Sequence, residues 1–339
     1  MSILLTKYVF PPVFVDNARK FVGQFGVTKS GPVDEYHFLY NNTLLDNTPE
    51  LSALECIGPL QLTIIEPIVL AFTGSCKVFI NGQLLQGAVG LFEPGSLLDI
   101  HPLQDGFRFY IGCYSGFTAD AVFHSNNAVP REGFGPTPQL NTVIHPHQTI
   151  SKTDSNLQNV LNKGTSKPHF LNFLLSVSPK VTVDSTEAYC PKQQKGLPGE
   201  QDEVWIPFIK NFQYEVFTFA QRYRFLNEVF TITPESNRMG YRLEQHAGLS
   251  HEIVLENSQV TILGGLQITP SGQTIVLMND KQTVGGYPIM GTVTQLGRAR
   301  LGQLSAGRQI RFVAQDIYSA HAQQLLLRAR IEYLCAAEV

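Results

Sequence analysis

No apolar run in this 339-residue chain is long enough to cross a membrane. Its most apolar stretch, residues 62–72, is interrupted by Glu66-Pro67 and falls well short of the roughly 20 residues a spanning helix needs. The start, Met1-Ser2-Ile3-Leu4-Leu5-Thr6-Lys7, has no basic region and soon meets Pro11-Pro12, so it does not read as a signal peptide, and a cytoplasmic location is expected. Charge of one sign is lacking too. Twenty-five Lys and Arg against 28 Asp and Glu leave a net charge of −3 without a block of like charges, which argues against nucleic-acid and anionic-membrane partners. The five cysteines (Cys56, Cys76, Cys113, Cys190 and Cys335) are scattered with no C-x-x-C spacing, which excludes a disulfide framework and a thiolate zinc site. His145-x-His147 would face one side of a strand but has no acid or cysteine beside it, and His246 and His251 share no face, so no metal is expected. Neither a G-x-x-x-x-G-K-S/T phosphate loop nor a G-x-S-x-G nucleophile elbow occurs. There is no low-complexity segment and no short-period repeat.

What is present is strand. Hydrophobic residues make up 43% of the chain, enough for a sizeable core. They fall in short runs at 60–65, 68–72, 77–80, 107–111, 229–233, 274–278 and 309–313, separated by turns such as Asn81-Gly82 and Pro94-Gly95. Strands so closely spaced predict a mainly β protein, barrel or sandwich. Helices are few. Ser30 or Gly31 is placed to cap one, with Pro32 in its first turn and Asp34 and Glu35 near its positive end. Thr218 caps a second over 219–226, a third is expected over 316–334, and a short amphipathic piece over 157–161. The polar stretch 137–167 reads as a seam between a β-rich half, 1–136, and a second half, 168–339; 191–202 reads as a loop.

The densest chemistry lies at Asp280-Lys281-Gln282-Thr283-Val284-Gly285-Gly286-Tyr287-Pro288. An acid, an amine, an amide and a hydroxyl precede two glycines, whose backbone allows close approach to a ligand and unusual angles. The alternative is a plain glycine turn after a strand. Asn237-Arg238-Met239-Gly240 offers a guanidinium for a carboxylate or phosphate, or for a structural ion pair with an acid such as Glu244. Ser30 and Asp34 either receive an anion at a helix start or only cap it.

The run resembles the D-x-Q-T-x-G-G-Y-P signature of the second carboxyltransferase-like subunit family, which includes allophanate hydrolase subunit 2, KipA-like proteins and the C-type subunit of 5-oxoprolinase. Gly264-Gly265-Leu266-Gln267, Pro270-Ser271-Gly272, 236–243 and Gln303-Leu304-Ser305-Ala306-Gly307 extend the resemblance. So do Gly26-Val27-Thr28-Lys29-Ser30-Gly31-Pro32-Val33-Asp34, Ala53-Leu54-Glu55 with Gly58-Pro59, and Phe72-Thr73-Gly74-Ser75. It implies a cyclophilin-like β-barrel architecture in two parts. It also implies ATP as cofactor, a KipI-like B-type subunit as partner and, with an A-type subunit, ATP-dependent opening of the 5-oxoproline lactam to glutamate. Asp280, Arg238 and Lys281 are the catalytic candidates, with Arg238, Lys281 and the Gly285-Gly286 backbone set to stabilise phosphate. Gln282, Thr283, Gly285, Gly286, Tyr287, Asn237, Ser30 and Asp34 are the substrate-binding candidates. Two other readings stand beside this one: carboxyl transfer from biotin as in urea carboxylase, for which the chain has no Met-Lys-Met attachment site, and a non-enzymatic KipA-like protein that sequesters a KipI-like one. The chain departs from the family where its D-x-G-R segment, Asp16 to Arg19, has Ala18 and Phe21 for glycines. It departs again at His124-Ser125-Asn126-Asn127, at Gly133-Phe134-Gly135, and near Gly297, where an aspartate is expected.

Overall fold

The computed structural model describes residues 2–147 and 203–336, apart from positions 86, 104–105, 136, 246–248, 254 and 256. The piece expected at 157–161, the loop at 191–202, the part of 137–167 beyond 147, Cys190 and His246 lie outside the described residues. The chain forms two compact units: Met1–Val22, Lys29–Asn172 and Leu327–Val339 make the first, Gly23–Thr28 and Phe173–Leu326 the second. Each therefore draws on more than one stretch of chain. Among the described residues the protein is mainly β with four α-helices.

Eleven strands build the first unit: β1 (Ser2–Tyr8), β2 (Val13–Val15), β3 (Ala53–Ile57), β4 (Leu60–Glu66), β5 (Ile68–Gly74), β6 (Cys76–Ile80), β7 (Gln83–Leu84), β8 (Val89–Phe92), β9 (Leu97–Pro102), β10 (Arg108–Cys113) and β11 (Val143–Ile144). They form two sheets, ordered β11-β1-β4-β9-β6-β7 and β2-β3-β10-β5-β8. Alternation decides which face is buried: Leu60, Leu62 and Ile64 of β4 point inward while Gln61 and Thr63 do not. Leu5, Leu62, Leu98 and Ile100 of one sheet meet Leu54, Leu70, Phe109 and Ile111 of the other in one core. The expected hairpin at Asn81-Gly82 is present between β6 and β7, with φ of 49° and 86°, the positive angles such a two-residue turn requires.

Helix α1 (Glu35–Leu44) lies against β5 and β10. Its cap is Asp34 rather than Ser30 or Gly31: the carboxylate accepts from the N–H groups of Tyr36 and His37, both at 3.2 Å. Ser30 and Gly31 instead take left-handed angles, φ 55° and 115°, so the chain is still turning where the sequence pattern starts a helix.

Nine strands belong to the second unit: β12 (Val204–Lys210), β13 (Phe230–Ile232), β14 (Gly240–Gln245), β15 (Gln259–Val260), β16 (Gly265–Ile268), β17 (Thr274–Leu277), β18 (Val284–Gly285), β19 (Ile289–Val293) and β20 (Gln309–Ala314). Seven close into a barrel, β12-β19-β16-β17-β14-β13-β20, shut by a parallel pairing of β12 with β20; β15 and β18 form a separate ribbon. Phe208, Phe225, Phe230 and Phe312 fill the interior with ring centroids 5.0–6.1 Å apart. Phe225 comes from α2 (Phe219–Asn227), where Thr218 and Gln221 form the full reciprocal capping box. Helix α3 (Gln295–Gly302) packs on β12, and α4 (Ile317–Ala336) ends the described chain. At Gly297 a side chain would meet Val293 Cγ1 at 2.6 Å and the Pro207 carbonyl at 2.8 Å. That close packing leaves no room for the aspartate expected there. No described helix is long and apolar enough to cross a membrane.

Candidate functional site

Two motifs some 40 residues apart in sequence meet because β14 pairs with β17. The register sets Gly240 opposite Leu277, and the ladder continues beyond both strands: Met278 N–H donates to the Met239 carbonyl at 3.0 Å and Asp280 N–H to the Arg238 carbonyl at 2.8 Å. Arg238 and Asp280 are thereby side by side. The guanidinium forks onto the carboxylate, Nε to Oδ2 at 2.9 Å and one terminal nitrogen to Oδ1 at 3.1 Å. The side chains are only 14% and 7% exposed. The acid opposite Arg238 is thus Asp280, not Glu244, which is exposed. The two strongest catalytic candidates bind each other as a neutral clamp at the end of the strand pair.

Past the clamp the chain turns, with Lys281 N–H donating to Met278 O at 3.1 Å. The Lys281 amine is held by the Thr261 carbonyl at 3.0 Å, Thr261 Oγ1 at 2.9 Å and the Gln282 carbonyl at 3.4 Å. Thr261 also donates its N–H to the Thr283 carbonyl at 3.0 Å and its hydroxyl to the Gln282 carbonyl. These bonds lay segment 281–285 along β15, where Val260 pairs with Val284 and Gln259 with Gly285. Thr28, from the N-terminal motif, donates its hydroxyl to the Asn279 carbonyl at 3.2 Å, within the same unit.

Neither glycine of the pair uses the positive φ that glycine allows. Gly285 is instead required by contact: an added methyl would lie 2.8 Å from Gln267 Nε2 and 3.0 Å from Thr261 Cγ2. At Gly286 the same methyl meets nothing within 4 Å. Gln267, on β16, is 1% exposed and lies beneath the ribbon. From the sequence it is legible only as part of the Gly264-Gly265-Leu266-Gln267 run; the signal for its contact with the signature is a lone amide within the apolar string Leu266-Gln267-Ile268.

The structure brings together Asp280, Arg238, Lys281, Gln282, Thr283 and Gly285. Tyr287 is 42% exposed on the same ribbon, and its carbonyl accepts from Gln259 at 3.3 Å. Asn237 stays on the surface, where its side-chain oxygen takes the Met239 N–H at 2.8 Å in a local turn. Ser30 and Asp34 belong to the first unit and are buried. There Asp34 caps α1 and contacts His37 Nδ1 at 2.5 Å, in a network with Tyr110, Glu55 and Arg108.

The altered middle segment has a visible task in the first unit. Ser125 Oγ and the Asn126 N–H donate to the Asp16 carboxylate at 2.9 and 2.6 Å, and Asn127 Nδ2 joins them. Arg19 reaches the Asn127 carbonyl at 2.5 Å and lies 5.3 Å from the Phe134 ring centre. Burial raises the Asp16 carboxyl above its ordinary value against the pull of these donors. Ala18 and Phe21 keep left-handed angles, φ 62° and 58°, although they are not glycine. Among the described residues no group of three or more His, Cys, Asp or Glu is arranged to hold a metal.

The chain matches the carboxyltransferase domain family, subdomains A and B, over residues 25–314. It belongs to that family. It is also similar to two curated proteins, each named as the C subunit of 5-oxoprolinase: that of Escherichia coli, 26% identical over 317 residues, and that of Haemophilus influenzae, 23% identical over 308 residues. Each alignment covers 90% of this chain and 88% of the relative. Among solved structures, the Kluyveromyces lactis urea carboxylase superposes with a TM-score of 0.75 at 18% identity; 98% of this chain is covered but only 29% of that one, so this likeness speaks to fold.

Proposed function

We propose that this chain is the C-type subunit of an ATP-dependent hydrolase that opens a small cyclic amide, with 5-oxoproline and glutamate as substrate and product. The reading is supported by an intact C-terminal signature gathered at one edge of the barrel, in a chain similar over nine-tenths of its length to two proteins named as C subunits of 5-oxoprolinase. Their naming as subunits supports a multi-subunit assembly; a KipI-like B-type subunit and an A-type subunit as its partners, and the cytoplasm as its location, are part of the proposal and rest on the sequence resemblance alone.

The residues at this edge do not fit a triphosphate. Arg238 is forked onto Asp280, the Lys281 amine is ringed by three oxygens, and the cluster around Gly285 is made of neutral amides and hydroxyls. A phosphate chain needs cations free to turn toward it. We therefore assign ATP to a partner subunit, and assign the amide end of the substrate to this chain. Carboxyl transfer has the description of the matched domain family and a shared fold behind it, and neither by itself carries an activity.

Co-purification with the cognate A- and B-type subunits tests the reading. One joint species on size exclusion, hydrolysing ATP only when 5-oxoproline is added, is expected. Separate peaks at micromolar concentration, or ATP hydrolysis indifferent to every lactam and linear amide offered, refute it.

A further inference from the structure

We propose that the outer face of α4 is a self-docking surface, on which a second copy of this chain lies antiparallel about a two-fold axis between Leu325 and Leu326. Helix α4 is one continuous element of 20 residues, so its own period fixes which side chains share a face. Gln323, Leu327 and Ile331, four residues apart, are buried, so one side of the helix is covered. The opposite side is apolar as well. At roughly 100° of turn per residue, Tyr318, Ala322, Leu325, Leu326, Ala329 and Tyr333 fall within an arc of about 100°. Tyr318 is 84% exposed, Leu326 62%, Tyr333 60% and Leu325 54%. A surface helix ordinarily turns charged and polar residues outward. Here Arg328 and Glu332 stand at one margin of the apolar stripe and Arg330 at the other.

The occupant follows from the order of these residues. Read outward from its centre, the stripe is the same in both directions: Leu325 and Leu326 flank the midpoint, Ala322 and Ala329 come next, and Tyr318 and Tyr333 stand equally far out at the ends. A two-fold interface must be complementary to itself, residue i meeting j where j meets i. An antiparallel pair of α4 helices meets that condition at every position of the stripe. Leu325 faces the partner's Leu326, Ala322 the partner's Ala329, and Tyr318 the partner's Tyr333. The alanines let the helices approach and the leucines fill the centre between them. A partner of unrelated sequence would not require the palindrome. The size fits too. With about 200 Å² for each tyrosine and the exposures above, covering the stripe in both copies removes on the order of 1,000 Å², the lower bound for a specific interface. An apolar centre with a charged margin is the usual make-up of such a surface.

Sedimentation velocity of the full chain, from low to high micromolar concentration, tests the proposal. The mass is expected to rise from one chain to two. Leu325→Glu and Leu326→Lys are each expected to weaken association about tenfold or more, because each brings a charge into the centre of the interface. Mixed in equal amounts, the two variants are expected to pair again. In the antiparallel register the new carboxylate of one meets the new amine of the other, and the remaining Leu326 and Leu325 meet each other. Both positions are exposed, so the urea midpoint read by Trp205 is expected to match that of the unaltered chain. A chain that stays monomeric throughout, a dimer that both variants leave intact, or variants that fail to pair when mixed overturns the proposal. A monomeric chain whose joint species with the A- and B-type subunits is broken by Leu325→Glu gives the face to one of them, and overturns it too.

Discussion

Asp280→Ala is expected to unfold this protein more readily before it tells anything about chemistry. The carboxylate it removes is the fork partner of Arg238, with bonds of 2.9 and 3.1 Å and side chains 7% and 14% exposed. Taking one partner from a buried ion pair leaves the other charge without compensation, at roughly 3–5 kcal/mol. Arg238 keeps a little contact with water, so the lower end, about 3 kcal/mol, is the expected loss. In a unit of this size that is about 6–12 °C in the melting temperature of the second unit. Urea unfolding followed by the single tryptophan, Trp205 on β12, reads this unit directly. Arg238→Ala is expected to cost a similar amount. The paired replacement of Arg238 by Met and Asp280 by Leu is expected to recover most of it, because a well-packed apolar pair can stand in for buried charges. A loss below about 1 kcal/mol for Asp280→Ala, the value of an exposed pair, refutes the clamp.

The two glycines of the signature are expected to part company. Gly285→Ala drives a methyl onto Gln267 Nε2 and Thr261 Cγ2 and is expected to cost about 1–3 kcal/mol, whereas Gly286→Ala stays within about 0.5 kcal/mol by thermal melt. Phe21→Gly removes a left-handed strain of about 1–2 kcal/mol and returns about 0.5–1 kcal/mol as chain entropy. Since Phe21 is 87% exposed, a net gain near 0.5–1 kcal/mol is expected, and a loss contradicts the strain. Burial of Asp16 raises its carboxyl above the ordinary 3.8, so the native state keeps a proton that the unfolded chain releases. That stabilisation is complete below the ordinary aspartate value and is lost as pH rises through the raised one. Asp16→Asn is expected to flatten this slope in melts taken upward from about pH 4; an unaltered slope contradicts it.

The strand runs were legible because their period and turn residues are local: Asn81-Gly82 and Thr218 with Gln221 specify a hairpin and a helix start without outside help. The helix start at Asp34 is less so. Ser30 has the right chemistry for a cap, and only its left-handed backbone shows that the chain has not yet straightened. The partner of Arg238 is set by the register of β14 on β17, which no spacing along the chain reveals. Gln267 is hidden for a related reason, since its burial comes from a ribbon built 18 residues later, at Gly285. Chemistry that depends on a few residues in a row is readable from the string; chemistry made by pairing across a sheet is not.

The division of labour between this chain and its partners is the central claim, and equilibrium dialysis tests it most directly. Radiolabelled 5-oxoproline and radiolabelled ATP are dialysed separately against this chain, against the A- and B-type subunits together, and against the full complex. The lactam is expected to be retained only where this chain is present, and the nucleotide only where the partners are. Retention of ATP by this chain alone, or of 5-oxoproline by the partners without it, contradicts the account.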